Sequence, residues 1–341
     1  MTISRALIAL SLLASLPASA AELIKLGYTR TATDIAIYTA HKRGYFRDAG
    51  LEVELIHVQS AAAMLVPITT GDVDALAGSA SAGLFNATQR GLDIRLVASK
   101  VTTPKGFTSQ TLIGRKEWFD SGKITKVADL KGQKIASGSP GSGALGTLNR
   151  MLRSGGLTLK DVELVYLGFP QMLPALKNGA VAATLPAEPY TLQAVREGIA
   201  VPLVRDDEVY PGHEIASFLF AGKFIRERRE TAYQFLKALI RGARDHNDAL
   251  DEKGMLRGPG SDGIIAIMNE YTGAKDPELF RSFPLAYCDP DGVIGLASLR
   301  EDLALFRELG LIQGEPSVDK IVDDSLRQQV IKELGPYVKK K

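Results

Sequence analysis

The chain has 341 residues, of which 45% are hydrophobic and 23% are charged, and its formal net charge is +2. This composition is typical of a globular protein and leaves room for two domains of ordinary size. Because acidic and basic residues are mixed along the chain, we expect no nucleic-acid partner.

Residues 1–20 have the pattern of a secretory signal peptide. Arg5 precedes an apolar run over residues 6–16, and Ala18-Ser19-Ala20 fits the cleavage pattern A-x-A. The run is too short to span a bilayer. We therefore expect cleavage near Ala20 and a mature protein in a bacterial periplasm. The single cysteine, Cys288, agrees with this location because it permits no internal disulfide.

Strand and helix patterns then alternate. The predicted strands of the first series cover residues 23–28, 51–58, 74–77 and 94–99. The predicted helices between them cover residues 35–46, 62–70 and 82–90. The second series has a strand at residues 134–136, a strand at 162–167, and between them a helix with an apolar face of Leu145, Leu148, Met151 and Leu152. This order predicts α/β architecture with a mainly parallel sheet.

The second series repeats the first. The pattern Gly-x-Val-x-Ala at residues 71–75 returns at residues 179–183, and the preceding Met-Leu pair at residues 64–65 returns at residues 172–173. A repeat of about 100 residues indicates a duplicated lobe rather than a solenoid, whose periods are about 20–50 residues. We therefore expect two similar lobes.

The pattern changes after about residue 214 to one apolar strand followed by long helices. The strand is predicted at residues 215–221, and the helices at residues 231–252, 262–271, 294–309 and 318–333. A chain that leaves one lobe and returns to it makes two crossovers, which we expect near residues 101–111 and 209–215. Two crossovers permit hinge closure around a ligand. This organisation assigns residues 21–105 and 215–341 to lobe 1, and residues 106–214 to lobe 2.

Six loops rich in hydroxyl-bearing and small residues follow the predicted strands of the two lobes. In open α/β sheets the ligand lies outside the carboxyl ends of the strands, so two facing lobes would enclose it in a cleft. The residues that we expect to contact the ligand are Arg30, Thr31, Thr33, Ser60, Ser79, Ser81, Ser139, Gly141, Ser142, Glu188 and Tyr190.

One of these loops, at residues 137–142, joins a strand to a helix. Gly138 and Gly143 have the spacing of a P-loop, but no Lys follows to hold a nucleotide phosphate. Gly141, Gly143 and Gly146 match the dinucleotide motif, yet the next strand does not end in the acidic residue that binds a ribose. The loop predicts either a site for an anionic or polar group, bound by backbone N–H groups and serines, or an ordinary capped helix.

Two charged residues among the predicted contacts have two possible roles each. Arg30 is the cation of the lobe 1 cleft loops, and it either pairs with a sulfonate or carboxylate or extends into solvent. Glu188 either binds a ligand amine or caps its own helix. The histidines show no metal-ligand spacing, so we predict no metal, no cofactor and no catalytic residue.

Several further motifs carry a family resemblance. They are Arg43-Gly44-Tyr45-Phe46, Gly50-Leu51-Glu52-Val53, Gly71-Asp72-Val73-Asp74-Ala75, Leu130-Lys131-Gly132-Gln133-Lys134-Ile135-Ala136, Glu188-Pro189-Tyr190 and Phe306-Arg307-Glu308-Leu309-Gly310-Leu311-Ile312. With these motifs, nearly the whole mature chain resembles the nitrate/sulfonate/taurine-type substrate-binding proteins of ABC transporters, the NMT1/THI5-like family. The resemblance implies a type II periplasmic binding protein, with two α/β lobes, a ligand cleft between them and two hinge crossovers.

The resemblance also implies a function. It predicts a monomeric binding protein, not an enzyme, that delivers a small organic anion to an inner-membrane ABC permease. Ala187 stands where the family carries Trp in a Trp-Glu/Asp-Pro motif, which argues against taurine or a simple alkanesulfonate and leaves room for a larger or aromatic organic acid. The family also resembles thiamine-pyrimidine synthases, whose cysteine-rich motif this chain lacks. Two alternatives stay open: an exported enzyme on the same scaffold that uses Glu188 or Cys288, and a periplasmic sensor subunit for a signalling partner.

Overall fold

The computed structural model of the protein describes residues 21–58, 64–276 and 278–340. The predicted signal peptide lies outside the described residues, and so does Ser60, one of the predicted ligand contacts. Within the described residues, no helix combines the length and the apolar character that crossing a membrane requires.

Two mixed sheets with helices around them make up the described chain. The strands are β1 (Glu22–Tyr28), β2 (Leu51–His57), β3 (Ala75–Gly78), β4 (Ile94–Thr102), β5 (Thr111–Arg115), β6 (Lys134–Ser137), β7 (Glu163–Tyr166), β8 (Ala183–Thr184), β9 (Ala200–Arg205) and β10 (Glu214–Ala221). The helices are α1 (Ile35–Lys42), α2 (Tyr45–Asp48), α3 (Leu65–Thr70), α4 (Ala82–Gln89), α5 (Lys116–Asp120), α6 (Gly143–Ser154), α7 (Phe169–Lys177), α8 (Tyr190–Arg196), α9 (Asp206–Val209), α10 (Gly222–Glu227), α11 (Arg229–Ala249), α12 (Ser261–Thr272), α13 (Leu296–Glu308), α14 (Val318–Ile321) and α15 (Ser325–Leu334).

The two sheets share one arrangement. The strand order is β2-β1-β3-β10-β4 in the first sheet and β7-β6-β8-β5-β9 in the second. Strand β1 is parallel to β2 and β3, and β6 is parallel to β7 and β8. We use lobe 1 and lobe 2 for the parts of the chain that carry the first and second sheets. The predicted lobe boundaries, after residues 105 and 214, stay a prediction.

In each sheet four of the five strands run in one direction, as expected of mainly parallel sheets, and one strand is reversed. Strand β10 runs antiparallel to β3 and β4, and β5 runs antiparallel to β8 and β9. The reason is the path of the chain between the lobes. Strand β4 leads out of the first sheet and β10 leads back into it, so these neighbours must point in opposite directions. The same holds for β5 and β9 in the second sheet.

Two predicted helices are each divided in the structure. The helix predicted at residues 35–46 is α1 followed by α2, because Gly44 between them adopts a left-handed backbone with φ of 78°. The helix predicted at residues 318–333 is α14 followed by α15. Between them Val322 forms a bridge to Leu96 of β4, and the Asp323 N–H donates to the Leu96 carbonyl, so the helix is interrupted by sheet pairing.

Helix α6 confirms the amphipathic pattern of its sequence. Leu145, Leu148, Met151 and Leu152, which the spacing places on one face, are all buried in the core. Because this face is held against the core, the amino end of α6 is fixed where the loop at residues 137–142 meets lobe 1.

The two connections between the sheets, at residues 103–110 and 206–213, run side by side. The Thr103 N–H donates to the His213 carbonyl at 3.2 Å, and the Gly212 N–H donates to the Thr103 carbonyl at 2.8 Å. These are the crossovers predicted near residues 101–111 and 209–215.

A buried carboxylate joins the two crossovers. Asp206 accepts hydrogen bonds from the Thr108 and Ser109 hydroxyls and from the Ser109 and Gln110 N–H groups. Burial raises the pKa of Asp206 to about 6, and the same hydrogen bonds oppose that rise. The first crossover is thus shaped around a side chain of the second.

A buried histidine links the helices beside this hinge. His213 contacts Asp302 of α13 through Nε2 at 2.8 Å and Thr147 of α6 through Nδ1 at 3.1 Å. A Cβ atom added at Gly146 of α6 would collide with the Asp302 carboxylate. Helices from both lobes therefore meet closely at His213, and Gly146 permits that approach.

We predict that Gly146→Ala destabilises the protein although alanine is the better helix former. The added methyl group must displace the buried Asp302 carboxylate, and overpacking of this kind costs about 1–3 kcal/mol. The matched control is Gly263→Ala in α12, where nothing lies within 4 Å of the new Cβ atom. The control should be neutral or gain up to about 1 kcal/mol. Urea denaturation measures both, and equal stability of the two variants would contradict the close approach.

Candidate ligand-binding cleft

A cavity of about 110 Å³ lies between the two lobes. Its lining residues from lobe 1 are Thr29, Thr31, Thr33, Gly78, Ser79, Lys100, Ile215 and Ala216. Those from lobe 2 are Gly138, Ser139, Ser142, Ala144, Leu167, Gly168, Phe169 and Ala187. Gln110, in the first crossover, also lines it. Pockets for drug-sized ligands measure about 300–1,000 Å³, so this cavity, which we call the inner cavity, suits a small solute.

The lobes touch each other next to the inner cavity. The Ala82 N–H donates to the Gly141 carbonyl at 2.7 Å, and the Ala32 N–H donates to the Glu188 carbonyl at 2.9 Å. Gly141 has a left-handed backbone with φ of 62°, and a Cβ atom there would lie 2.6 Å from the Ala82 Cβ atom. Only glycine allows this approach of the two lobes.

Ion pairs join the lobes at the rim. Arg150 of α6 pairs with Glu301 of α13 at 2.5 Å, and Arg196 of α8 pairs with Asp276. All four side chains are partly exposed, so each pair contributes little energy, about 0–1 kcal/mol. Together with the backbone contacts they define a conformation in which the lobes are in contact around the inner cavity.

Five of the predicted contact residues come together in the lining of the inner cavity: Thr31, Thr33, Ser79, Ser139 and Ser142. They lie on loops that follow strands of both sheets, as the strand-end argument requires. Whether they contact a ligand stays a prediction.

The other described contact residues lie elsewhere. The Ser81 hydroxyl accepts from the Leu84 N–H at 3.2 Å and caps α4. Gly141 forms the contact between the lobes described above. Arg30 and Tyr190 line a neighbouring pocket rather than the inner cavity. Arg30 is exposed, and its Nε donates to the Tyr271 carbonyl at 2.9 Å.

Glu188 caps its own helix, which was one of its two possible roles. Its Oε2 accepts from the Leu192 N–H at 3.0 Å, and the side chain does not line the inner cavity. Burial raises the pKa of Glu188 to about 8, opposed by the Leu192 N–H and the Thr191 hydroxyl. The carboxyl group is therefore mostly protonated at neutral pH and adds little negative charge to the cleft.

The cation at the inner cavity is Lys100, which sequence reasoning missed. Its Nζ donates to Asp34 Oδ1 at 2.5 Å, and both side chains are almost fully buried. Asp34 Oδ2 also accepts from the Thr31 N–H at 3.0 Å and the Thr29 hydroxyl at 3.3 Å. The sequence does contain a signal for this residue. Lysines are mostly exposed, so a lysine inside the apolar run at residues 94–101 indicates a buried lysine with a partner.

Two lining residues carry polar atoms without a hydrogen-bond partner among the described residues. They are the Ser142 hydroxyl and the Gln110 side-chain oxygen. Ser142 is the N-cap residue of α6, yet its side chain makes no capping hydrogen bond. Leaving a buried polar atom unpaired costs about 1–3 kcal/mol, so a ligand that hydrogen-bonds to these residues would remove that cost.

Cys288, His213 and Asp302 do not line the inner cavity. Cys288 is fully buried, burial raises the pKa of its thiol to about 12, and it does not line the inner cavity. Thr147, His213 and Asp302 form a hydrogen-bonded series that is likewise buried. Among the described residues, no group of three or more His, Cys, Asp or Glu side chains is placed to hold a metal ion.

The sequence has relatives among known proteins. Residues 18–253 match the model of the NMT1-like family. A protein of Haemophilus influenzae named for thiamine biosynthesis is 31% identical over 180 residues, which are 52% of this chain and 54% of that protein. The chain thus spans about half the length of this relative. A protein of Escherichia coli named as an aliphatic sulfonates-binding protein is 25% identical over 73% of this chain and 76% of its own length.

Solved structures share the fold. The periplasmic nitrate-binding protein NrtA from Synechocystis PCC 6803 has a TM-score of 0.74 and 16% identity, over 92% of this chain and 89% of that one. The desulfurization enzyme DSZB has a TM-score of 0.63 and 17% identity, over 92% of this chain and 99% of that one. The likeness to NrtA confirms the predicted fold, which is the two-lobed α/β fold of periplasmic binding proteins. The likeness to DSZB shows that an enzyme occurs on the same fold.

We predict that Glu188 makes the protein less stable as the pH rises from about 4.5 to 8. The Glu188 carboxyl group has a pKa of about 8 in the native state and about 4.5 in the unfolded chain. Its contribution to the free energy of unfolding is therefore complete below pH 4.5 and is lost as the pH rises to 8. Glu188→Gln keeps an acceptor for the Leu192 N–H and cannot ionise. Relative to wild type it should gain up to about 1.4 kcal/mol per pH unit across the window.

Urea denaturation at pH 5 and pH 8 measures this difference. The control is Glu52→Gln, at an exposed position, and its free energy of unfolding should change between the two pH values as much as that of the wild type. If the free energy of unfolding of Glu188→Gln also changed as much as that of the wild type, Glu188 would be ionised in the native protein at neutral pH, and the raised pKa would be wrong.

Proposed function

The chain belongs to the NMT1-like family, and on that premise we propose that it is the solute-binding component of an ABC importer. The proposed ligand is a small organic anion, a sulfonate, a carboxylate or a related solute, bound between the lobes and delivered to a membrane permease. The proposal includes a periplasmic location, a monomeric state and the absence of catalysis.

The unpaired polar atoms of Ser142 and Gln110 at the inner cavity carry this proposal. The Ser142 hydroxyl at the start of α6 can donate to an anion, whereas the Gln110 oxygen in the first crossover can only accept and would take an O–H or N–H group of the same molecule. The amino end of α6 also favours a negative charge, because its first N–H groups have no partner within the helix.

The balance of donors and acceptors supports an anion. Lys100 has three N–H donors, of which one binds Asp34, so others are available to a ligand. Asp34 already accepts from Lys100, Thr31 and Thr29, so it has little capacity left for a ligand cation. The apolar side chains of Leu167, Phe169 and Ile215, which line the inner cavity, would contact the carbon skeleton of the ligand.

Transport function requires that binding favour closure. A ligand in the inner cavity would contact hydroxyls and backbone of both lobes, and so would bind the conformation with the lobes together more tightly. A ligand shifts such an equilibrium only by its difference in affinity for the two states. The crossovers joined by Asp206 would be the hinge.

Catalysis on this scaffold has less support. The two residues that an enzyme of this sequence would use, Glu188 and Cys288, do not line the inner cavity. A sensor subunit would use the same cleft and differ only in the partner that recognises the closed form.

We predict that Ser142→Ala removes ligand binding without destabilising the ligand-free protein, because its hydroxyl has no protein partner to lose. The matched control is Ser81→Ala, which loses the α4 cap and about 0.5–2 kcal/mol of stability but should keep ligand binding. The measurement is thermal unfolding with sulfonates, aliphatic and aromatic carboxylates, nitrate, amino acids and pyrimidines. A ligand at 100 times its Kd adds about 2.7 kcal/mol, a shift of several degrees.

If acids raise the unfolding temperature of Ser142→Ala as much as that of the wild type, the proposed site is wrong. If an acid is recovered chemically altered after incubation with the protein, the protein is an enzyme and the binding-protein function is wrong. A shift with pyrimidines or amino acids alone would contradict the proposed ligand class.

We also predict that Lys100 has separate effects on stability and binding. Lys100→Met leaves the Asp34 carboxylate buried and unpaired, which should cost about 3–5 kcal/mol. The double variant Lys100→Met/Asp34→Asn should recover most of this stability and still not bind the anion. Urea denaturation and isothermal titration calorimetry separate the two. Binding by the double variant at wild-type affinity would show that Lys100 does not contact the ligand.

A further inference from the structure

A second pocket, of about 290 Å³, lies beside the inner cavity and is called the outer pocket here. Arg30 and His57 line it from lobe 1, and Pro170 and Tyr190 line it from lobe 2. Thr29, Gly168 and Phe169 line both the outer pocket and the inner cavity. The shared residues make the two spaces neighbours, so a ligand with groups in both would pass beside Phe169.

Arg30 holds its guanidinium at the outer pocket in an unusual backbone conformation. Its φ is 58°, and among the described residues it is the one non-glycine residue with a positive φ. Glycine would adopt this conformation at lower cost, so an arginine here indicates a function for its side chain. Tyr271 fixes the guanidinium by accepting from Nε at 2.9 Å.

The rest of the guanidinium is free to bind. Its two terminal nitrogens make no hydrogen bond or ion pair within the described part of the chain. Two parallel N–H groups match a carboxylate or sulfonate. No Asp or Glu of the described residues lines the outer pocket, so its charge favours an anion and opposes a cation.

Two aromatic side chains of lobe 2 line the outer pocket, and one of them, Phe169, also lines the inner cavity. The rings of Phe169 and Tyr190 lie 6.3 Å apart and tilted by 30° on the lobe 2 side. Burial raises the pKa of Tyr190, and the Arg30 charge opposes that rise, so the guanidinium of lobe 1 lies near the phenol of lobe 2. A ligand that passes between them would be in contact with both lobes.

We propose that the ligand is a two-ended organic acid. One anionic end binds in the inner cavity beside Lys100, the second binds Arg30 in the outer pocket, and an apolar middle packs against Phe169 and Tyr190. This inference rests on the proposed function, because it presupposes that an organic anion occupies the inner cavity.

The test compares acids that differ only in the second anionic group. Isothermal titration calorimetry is done with benzoate against benzene-1,4-dicarboxylate, and with hexanoate against hexanedioate. In each pair the diacid should bind about 10- to 100-fold more tightly, the range that corresponds to one charge-assisted hydrogen-bonded contact.

The decisive variant is Arg30→Asn. Asparagine tolerates a left-handed backbone, so the loop should keep its shape. The variant should bind the diacids no more tightly than the monoacids and leave monoacid affinity unchanged. Arg90→Asn removes the same charge from an exposed position outside both pockets, and should keep the preference for diacids.

The other outcomes separate this inference from the proposed function. If monoacids and diacids bind equally, and Ser142→Ala abolishes both, the two-ended ligand is wrong and the proposed function stands. A diacid preference that persists in Arg30→Asn also overturns the inference, because the second anionic group would then bind elsewhere. If none of the four acids binds, the two-ended carboxylic acid is wrong, and the proposed function then stands if a sulfonate binds and falls if no sulfonate does.

Discussion

The buried ion pair between Lys100 and Asp34 organises the cleft. Asp34 lies just after the loop that follows β1, and Lys100 lies on β4, so the pair ties this loop to the far edge of the first sheet. Two buried charges are costly to desolvate, and the cost is offset only when their remaining hydrogen-bonding capacity is used. Asp34 accepts further hydrogen bonds from Thr29 and Thr31, whereas Lys100 donates only to Asp34 among the described residues and has N–H donors left for a ligand. On that asymmetry we base the proposal of an anionic ligand.

The path of the chain determines where this site can form. Because the chain passes twice between the sheets, each sheet receives one strand that runs antiparallel to both of its neighbours, and both crossovers run along one side. Asp206 and His213 fix that side, through hydrogen bonds to the first crossover and to helices of both lobes. Opening about the crossovers would expose the inner cavity, because its lining comes from both lobes.

Much of this fold could be predicted from the sequence, because its signals are local. Alternation and apolar runs locate the strands, and the spacing of Leu145, Leu148, Met151 and Leu152 locates the buried face of α6. The reversed direction of β10 and β5 was not predicted, since it depends on which strands the crossovers join. The break between α14 and α15 depends on pairing with Leu96, which is distant in sequence.

The same contrast applies to the site. Ser139 and Ser142 could be found because loops at strand ends are recognisable, and both line the inner cavity. Lys100 was missed because the strand was predicted to end at Ser99, and it continues through Thr102. Arg30 was the obvious cation, but its left-handed backbone places it at the outer pocket, and no sequence pattern specifies that conformation for an arginine.

The central claim is that ligand binding and lobe closure are one event, and an inter-lobe distance tests it most directly. Spin labels at Glu197→Cys of lobe 2 and Lys275→Cys of lobe 1 would flank the Arg196–Asp276 ion pair without lining the inner cavity. The native Cys288 is buried and should not react with the label. We expect the label distance, measured by pulsed electron paramagnetic resonance, to shorten and narrow when a bound acid is added. The same distribution with and without the acid would contradict the claim.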